Sequence, residues 1–316
     1  WRQADKYGVP RIAFINKMDK IGSDMDMVLK SIADKLRAPV VPMVYPIGKE
    51  HEFVGVVDLM TRKMYIWDQD EQGINYSTKD LTDEYKEKVE KARAHMVELI
   101  AGQDEVLMEK FLNDEVIEEK DLKRVLRAAT IARKLFPIYC GSSWRNKGVQ
   151  PVLDGIVDYL PSPIDLPPIE AYDINTQEKI TRKPERTEPL AALLFKVQSD
   201  PHVGTLSYVR VYSGILKAGS EVYNATKKTS ERIGRLLLMH ADKREGIEEG
   251  FAGEIVACIG LKESTTGDTL CDRDNQLSLS PIQFADPVIS LSIEPETADD
   301  QEKMGQALNR LAVEDP

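Results

Sequence analysis

The chain has 316 residues, 42% of them hydrophobic and 30% charged, enough for two or more domains with real cores and unlike a wholly disordered polymer. Its longest unbroken apolar run is the short Leu190 to Phe195, so no segment is long enough to span a bilayer as a helix. A formal charge of −11 argues against a surface that coats nucleic acid throughout, and the three scattered cysteines, Cys140, Cys258 and Cys271, suit a reducing cytoplasm better than a disulfide framework or a zinc site.

Neither a signal peptide nor a natural start is visible at Trp1, and the chain closes at Pro316 straight after a helical pattern, which together read as an internal fragment of a longer protein. Arg11 to Ile15 is a nearly continuous apolar run, as expected of a strand buried on both faces of a parallel sheet. A polar turn follows, then an N-cap signature of Ser23 with Asp26, and apolar residues at helical spacing from Met25 to Leu36. Pro39 to Tyr45 reads as the next strand. Leu135 to Cys140 is a later strand, followed by a Gly-Ser turn and a helix carrying Val152, Leu153, Ile156, Tyr159 and Leu160, with Pro151 in its first turn. These pieces form an α/β domain.

Between its halves the texture differs. Glu50 to Leu81 suggests short strands, notably Phe53 to Asp58 and Lys63 to Trp67, and three helical patterns lie between Tyr85 and Ala132. From Asp68 to Lys123 there are 17 acidic and 8 basic residues, a net −9 that marks an acidic inserted subdomain or a solvated helical face. Pro161 to Pro189 is a proline-rich, non-periodic stretch that reads as a linker with room for a small hairpin. Five short β segments broken by glycine turns follow, from Leu190 to Ile259, a spacing that suggests a small β-barrel. Val288 to Ile293 reads as a strand and Asp300 to Leu311 as a helix, the start of a third domain.

The sharpest chemical signal is Asn16-Lys17-Met18-Asp19, directly after the first strand, where ligands of open α/β sheets bind. An aspartate there can accept paired hydrogen bonds from the N1–H and N2–H₂ edge of guanine, which adenine does not offer. The stem of Lys17 can lie over the base, and the Asn16 amide can brace the loop or reach the purine N7. Gly141-Ser142-Ser143, after the later strand and before Asn146-Lys147-Gly148, supplies small residues whose backbone N–H groups can approach the purine O6. Each motif alone also occurs as an ordinary turn; together, each after a strand and before a helix, they point to a guanine pocket.

Asn16 to Asp19 and Gly141 to Ser143 resemble the fourth and fifth guanine-nucleotide motifs of translational GTPases. The insertion from Pro46 to Arg133 is similar to that of the elongation factor G family, as are Arg210 to Gly214 with Gly267 to Leu270, and Ile293-Glu294-Pro295 with Asp299 to Pro316. The resemblance implies the C-terminal part of an α/β P-loop GTPase domain (1–160, with an α+β subdomain inserted at 46–134). It further implies a linker (161–187), an all-β translation-factor barrel (188–276) and the start of an α+β ferredoxin-like domain (281–316). It implies GTP or GDP as cofactor, with Mg²⁺ in the full-length protein, and a cytoplasmic, monomeric factor without membrane contact that moves transfer and messenger RNA on the ribosome. Ribosomal RNA would meet the basic cluster Lys227, Lys228, Arg232, Arg235, Lys243 and Arg244, though acidic residues outnumber basic ones 13 to 11 between Glu188 and Asp274. The ribosomal stalk protein would meet the acidic insertion.

The phosphate loop G-x-x-x-x-G-K-[ST] does not occur in the chain, so no catalytic residue or metal ligand is assigned within it and the chain alone is expected not to hydrolyse GTP. The D-x-x-G strings at Asp5, Asp19 and Asp70 lack the family's following histidine and read as chance, and Ser143 stands where the family usually has alanine. His51, His95, His202 and His240 share no ligand spacing, and Cys140 reads as a small buried residue. A tetracycline-resistance ribosome protection factor, a peptide-release factor and a non-catalytic ribosome-docking module remain as alternatives.

Overall fold

A computed structural model describes residues 1–67, 73–200, 203–241, 243–282 and 288–314, the side chains of residues 298 and 299 aside. The chain divides into two compact units, 1–161 and 162–316.

In the first unit a short helix α1 (Arg2–Lys6) precedes strand β1 (Ala13–Ile15), helix α2 (Met25–Leu36) and strand β2 (Val40–Pro42). Ser23 does not cap α2: Asp24 does, accepting from the Met27 N–H at 2.9 Å, while the Ser23 hydroxyl turns back to donate to the Met18 carbonyl at 2.7 Å. One residue decides this, because the cap needs extended backbone and a side-chain oxygen aimed at the first turn. The run Pro39 to Tyr45 is two strands rather than one. β2 lies in the α/β sheet, whereas β3 (Val44–Ile47) begins an antiparallel sheet with β4 (Gly55–Asp58), β5 (Lys63–Trp67) and β6 (Tyr76–Asp80). Met43 is the joint: its N–H donates to Ile138 of one sheet at 2.9 Å and its carbonyl accepts from Leu59 beside the other at 3.0 Å.

Helices α3 (Asp83–Ala101), α4 (Glu105–Leu112) and α5 (Glu119–Ile131) complete the insertion, and the chain returns through β7 (Phe136–Cys140) and α6 (Val149–Tyr159). The α/β sheet runs β1-β7-β2, all parallel, with Ile15 aligned on Cys140. All five residues of central β7 are buried, but of β1 only Ile15 is, because a strand with one described neighbour has one flank open. The expectation that the first strand is covered on both faces therefore does not hold for β1, and it is β7 whose residues are all buried. Helix α6 packs close on β7: a Cβ at Gly155 would stand 2.3 Å from the Tyr139 hydroxyl. Of its expected apolar residues only Tyr159 is buried, Val152 and Leu160 are half-buried and Leu153 and Ile156 are exposed; the buried face is Pro151, Gly155 and Tyr159. One continuous core joins Ile15, Val41 and Ile138 to Val56, Trp67 and Met96 of the insertion, so within this unit the insertion is built onto the sheet rather than tethered to it.

In the second unit the stretch expected as a linker carries the hairpin β8 (Ile169–Asp173) and β9 (Lys179–Arg182), paired with the later β20 (Leu277–Leu279) around a small core of Ala171, Ala191 and Cys271. An eight-stranded sheet follows, built on β10 (Ala191–Asp200), β11 (Gly204–Ser213), β13 (Glu221–Asn224), β14 (Thr229–Arg232), β15 (Arg235–His240), β16 (Lys243–Ile247), β18 (Ile255–Ile259) and β19 (Thr269–Cys271). Its order is β14-β13-β19-β10-β11-β18-β15-β16, and Leu194, Val209, Val222, Leu236, Val256 and Leu270 meet in one core. A small ladder of β12 (Ile215–Lys217) with β17 (Glu249–Phe251) lies beside it. One of the five β segments expected between Leu190 and Ile259, that from Glu231 to Met239, is split between β14 and β15 at Ile233-Gly234, where a Cβ on Gly234 would stand 2.8 Å from the Ile259 carbonyl.

Val288 to Ile293 is not a strand. It has no regular structure, and Val288 and Leu291 are 93% and 85% exposed, because strand geometry needs a ladder partner and no described strand offers one. Helix α7 (Ala298–Glu314) forms as expected, with the Thr297 hydroxyl accepting from the Asp300 N–H at 3.2 Å.

Candidate functional site

The parallel pairing of β1 with β7 makes the loops after them leave the same sheet edge side by side. The ladder continues one step into both loops: Gly141 N–H donates to Ile15 and Met18 N–H to Gly141, each at 3.0 Å. Lys17 then turns the chain with φ +65°, leaving its side chain exposed, while Met18 is buried in the core. The Asn16 side-chain oxygen accepts from its neighbour Lys17 N–H at 2.7 Å and from both the N–H and the hydroxyl of Ser143 at 3.0 Å. Asn16 is thus a side-chain tie between the two loops, beside the backbone bond of Met18 to Gly141.

The second loop is a hairpin turn. Ser142 and Lys147 exchange backbone hydrogen bonds at 2.9 and 3.0 Å, and Asn146 N–H closes on the Ser143 carbonyl. Gly141 is required here, since a Cβ would stand 2.3 Å from the Lys147 carbonyl and 2.9 Å from the Phe14 ring. All three N–H groups expected to face a purine O6 are engaged within the protein: Gly141 with Ile15, Ser142 with Lys147 and Ser143 with Asn16. Of these, Ser143 is the exposed one.

Asp19 lies between the loops with its side chain only 5% exposed. Its Oδ2 is buried and accepts no hydrogen bond from the described residues, with Arg145 Nε at 3.4 Å and Lys20 Nζ at 3.6 Å. Burial opposes the charged carboxylate, but the Ser142 hydroxyl, the residue's own backbone N–H and the Lys20 and Arg145 charges outweigh it and hold the pKa below its ordinary value. Ser142 Oγ stands close enough to favour the charged form without meeting the geometry of a formed hydrogen bond. A buried, ionised acceptor with a free lone pair is what a pair of N–H donors on a planar ligand requires.

All seven residues singled out in the sequence, Asn16 to Asp19 and Gly141 to Ser143, come together at this edge. Sequence reasoning missed Arg145, whose only signal was a cation two residues past Ser143, and Glu50, whose side chain accepts from Gly22 N–H at 2.7 Å. The remaining candidates carry less. In the barrel's basic cluster Arg244 pairs with Asp200, Lys227 with Asp268 and Arg232 donates to the Gly219 carbonyl, so three of the six charges are engaged internally. His95 and His240 lie near Glu98 and Glu245 on exposed surface, and His202 and Asp70 lie outside the described residues. Burial pushes the Cys140 thiol up to about 12, which leaves it an inert core residue.

Residues 1–162 match the family described as Elongation factor Tu GTP binding domain, residues 204–271 Elongation factor Tu domain 2, and residues 284–316 Elongation Factor G, domain III. Elongation factor G of Thermotoga maritima and of Thermotoga neapolitana are each 51% identical over all 316 residues, and the chain spans 46% and 45% of their lengths, about half. A crystal structure of a Thermus thermophilus protein superimposes with a TM-score of 0.78 at 26% identity, covering 100% of this chain and 44% of that one. No described helix is long and apolar enough to cross a membrane. With its first half matched to the GTP-binding domain and its whole length to those relatives, the chain belongs to the elongation factor family that carries the elongation factor Tu GTP-binding domain and resembles elongation factor G throughout.

Proposed function

We propose that this chain forms the guanine-recognition side of the nucleotide pocket of a GTP-hydrolysing elongation factor that drives movement of transfer and messenger RNA on the ribosome. The observation that carries the reading is the buried Asp19 Oδ2, held in the charged form beside the Arg145 and Lys20 cations but accepting no hydrogen bond from the described residues, at the edge where two strand-end loops meet. Asp19 accepts from N1–H and N2–H₂ of guanine, Asn16 fixes the spacing between the loops, and the exposed Lys17 stem lies along the base. Gly141, Ser142 and Ser143 form the opposite wall. Guanine O6 would share or take over the Ser143 N–H now held by Asn16, which makes entry of the base and the inter-loop tie interdependent. GTP, when bound, supplies the phosphoryl group whose hydrolysis drives the cycle, with Mg²⁺ at its phosphates in the full-length protein.

In this reading residues 1–160 are the C-terminal part of an α/β P-loop GTPase domain, with residues 46–134 inserted. Residues 161–187 connect it to the barrel of 188–276, and 281–316 begin a ferredoxin-like third domain. The rest of the barrel's basic cluster, Lys228 and Lys243 among it, would contact ribosomal RNA, and the acidic insertion would contact the stalk protein. The factor would work as a cytoplasmic monomer. Protection and release factors are not favoured, because the relatives that match over the whole chain bear the name elongation factor G. The test is GTP hydrolysis by the full-length protein with and without ribosomes: stimulation by ribosomes is expected, and a full-length protein that hydrolyses no GTP in their presence refutes the reading in favour of a non-catalytic docking module.

A further inference from the structure

The insertion does not merely interrupt the α/β domain; it holds the guanine loops at two points. At its start, Gly48 (φ +79°) and Glu50 (φ +52°) form a tight turn in which a Cβ on Gly48 would stand 2.0 Å from the Glu52 carbonyl. A left-handed glutamate is a strained conformer that persists only where its surroundings impose it. Here Phe53 anchors the turn in the core at 2% exposure, and Glu50 Oε1 is delivered to the Gly22 N–H at 2.7 Å. Gly22 closes the loop that begins at Asn16, and the next residue, Ser23, hydrogen-bonds back to Met18, directly before Asp19. At the far end of the β5–β6 connection, Gly73 (φ +57°) sits against the hairpin turn, where a Cβ would stand 2.1 Å from the Arg145 carbonyl, and its own carbonyl accepts from Gln150 Nε2 at 3.2 Å. Arg145 in turn faces Asp19 at 3.4 Å.

We propose that the inserted subdomain positions the base pocket, with Glu50 as the positioning residue that sets Asp19 through the Gly22 N–H, so that whatever displaces the insertion's first turn alters guanine affinity. This rests on the guanine reading of Asp19 given above. A carboxylate accepting from a backbone N–H is among the stronger single hydrogen bonds, and here it joins the insertion's first turn to the backbone of the loop that carries Asp19.

The experiment uses the full-length protein and measures the release of fluorescent GDP, with inosine diphosphate as competitor, since hypoxanthine lacks the 2-amino group that Asp19 reads. Glu50→Ala is expected to speed GDP release roughly two- to thirtyfold and to lower the preference for guanine over hypoxanthine. Glu50→Gln, whose amide oxygen still accepts from Gly22, is expected to restore both. If Glu50→Ala does not fold, Glu50→Asp, one methylene short of Gly22, replaces it with the same expectation. A folded variant that releases GDP at the wild-type rate, or that weakens GDP and inosine diphosphate equally, overturns the proposal. A wild-type protein that binds no GDP overturns the guanine reading itself, which separates the two failures.

Discussion

Replacing Asp19 by asparagine is the most informative perturbation of the pocket, because it keeps the shape and changes one acceptor into a donor. The buried Oδ2 receives no hydrogen bond from the described residues and faces the cations of Arg145 and Lys20, at 3.4 and 3.6 Å, which leaves it able to accept from a ligand. Two hydrogen bonds to an ionised acceptor contribute about 1.5–3 kcal/mol each, and the asparagine amide retains one acceptor while opposing the second donor. The net loss is about 3 kcal/mol, on the order of 10²-fold in GDP affinity. Loss of the Arg145 and Lys20 ion pairs does not change this estimate much, since those cations are 58% and 64% exposed and such pairs contribute about 1 kcal/mol or less. Xanthine presents an acceptor where guanine presents the 2-amino group, so the new amide N–H gains a partner there. Competition between GDP and xanthosine diphosphate for the full-length protein reads both effects. GDP affinity within about threefold of wild type, together with no gain for xanthosine diphosphate, would refute the placement of Asp19 on the base.

Three further outcomes follow from particular contacts. Since the pKa of Asp19 is held below its ordinary 3.8, its charge-dependent contribution is present above the unfolded value and is lost only as pH falls through the still lower folded one; GDP titrations should show no loss traceable to Asp19 between about pH 8 and about pH 5. Arg93 is buried and donates to the Leu59 and Met60 carbonyls, so Arg93→Met, which keeps the stem's packing but strands two buried acceptors, should cost about 2–4 kcal/mol in urea unfolding of the first unit. In the second unit Asn224 donates to Ser264 and Asp268 at 2.9 and 2.8 Å and accepts from the Thr226 and Lys227 N–H groups, so Asn224→Ala should lower stability by about 2–4 kcal/mol, and wild-type unfolding behaviour would contradict that network.

Much of this molecule was legible in its residues because local rules dominate where the period is clean. The three helices between Tyr85 and Ala132, the strand Lys63–Trp67 and, to within one residue, the return strand expected at Leu135 to Cys140 follow from apolar spacing and turn residues. The convergence of Asn16 to Asp19 with Gly141 to Ser143 was legible as well, because a short apolar strand followed by a polar loop and a helix places that loop at the edge of an open sheet where ligands commonly bind. Where the reading failed, a partner was the missing information. Val288 to Ile293 has strand composition but no described ladder to join, and Pro39 to Tyr45 looks continuous although its two ends pair with different sheets. The proline-rich stretch after residue 161 looks like a linker until β20, about a hundred residues later, completes its hairpin into a sheet.

The sequence by itself therefore determined the alternation of strand and helix, the segment inserted between β2 and β7, the β-rich second half and the two strand-end loops that hold the candidate site, all properties of near neighbours along the chain. Only the tertiary structure decided that the three N–H groups of Gly141 to Ser143 are already engaged, that Arg145 stands against Asp19, and that Glu50 reaches Gly22 across 28 positions of sequence. Those contacts depend on strand register, on left-handed turns at Lys17, Gly48 and Glu50, and on which polar atoms burial leaves without water, and none of these has a local signature.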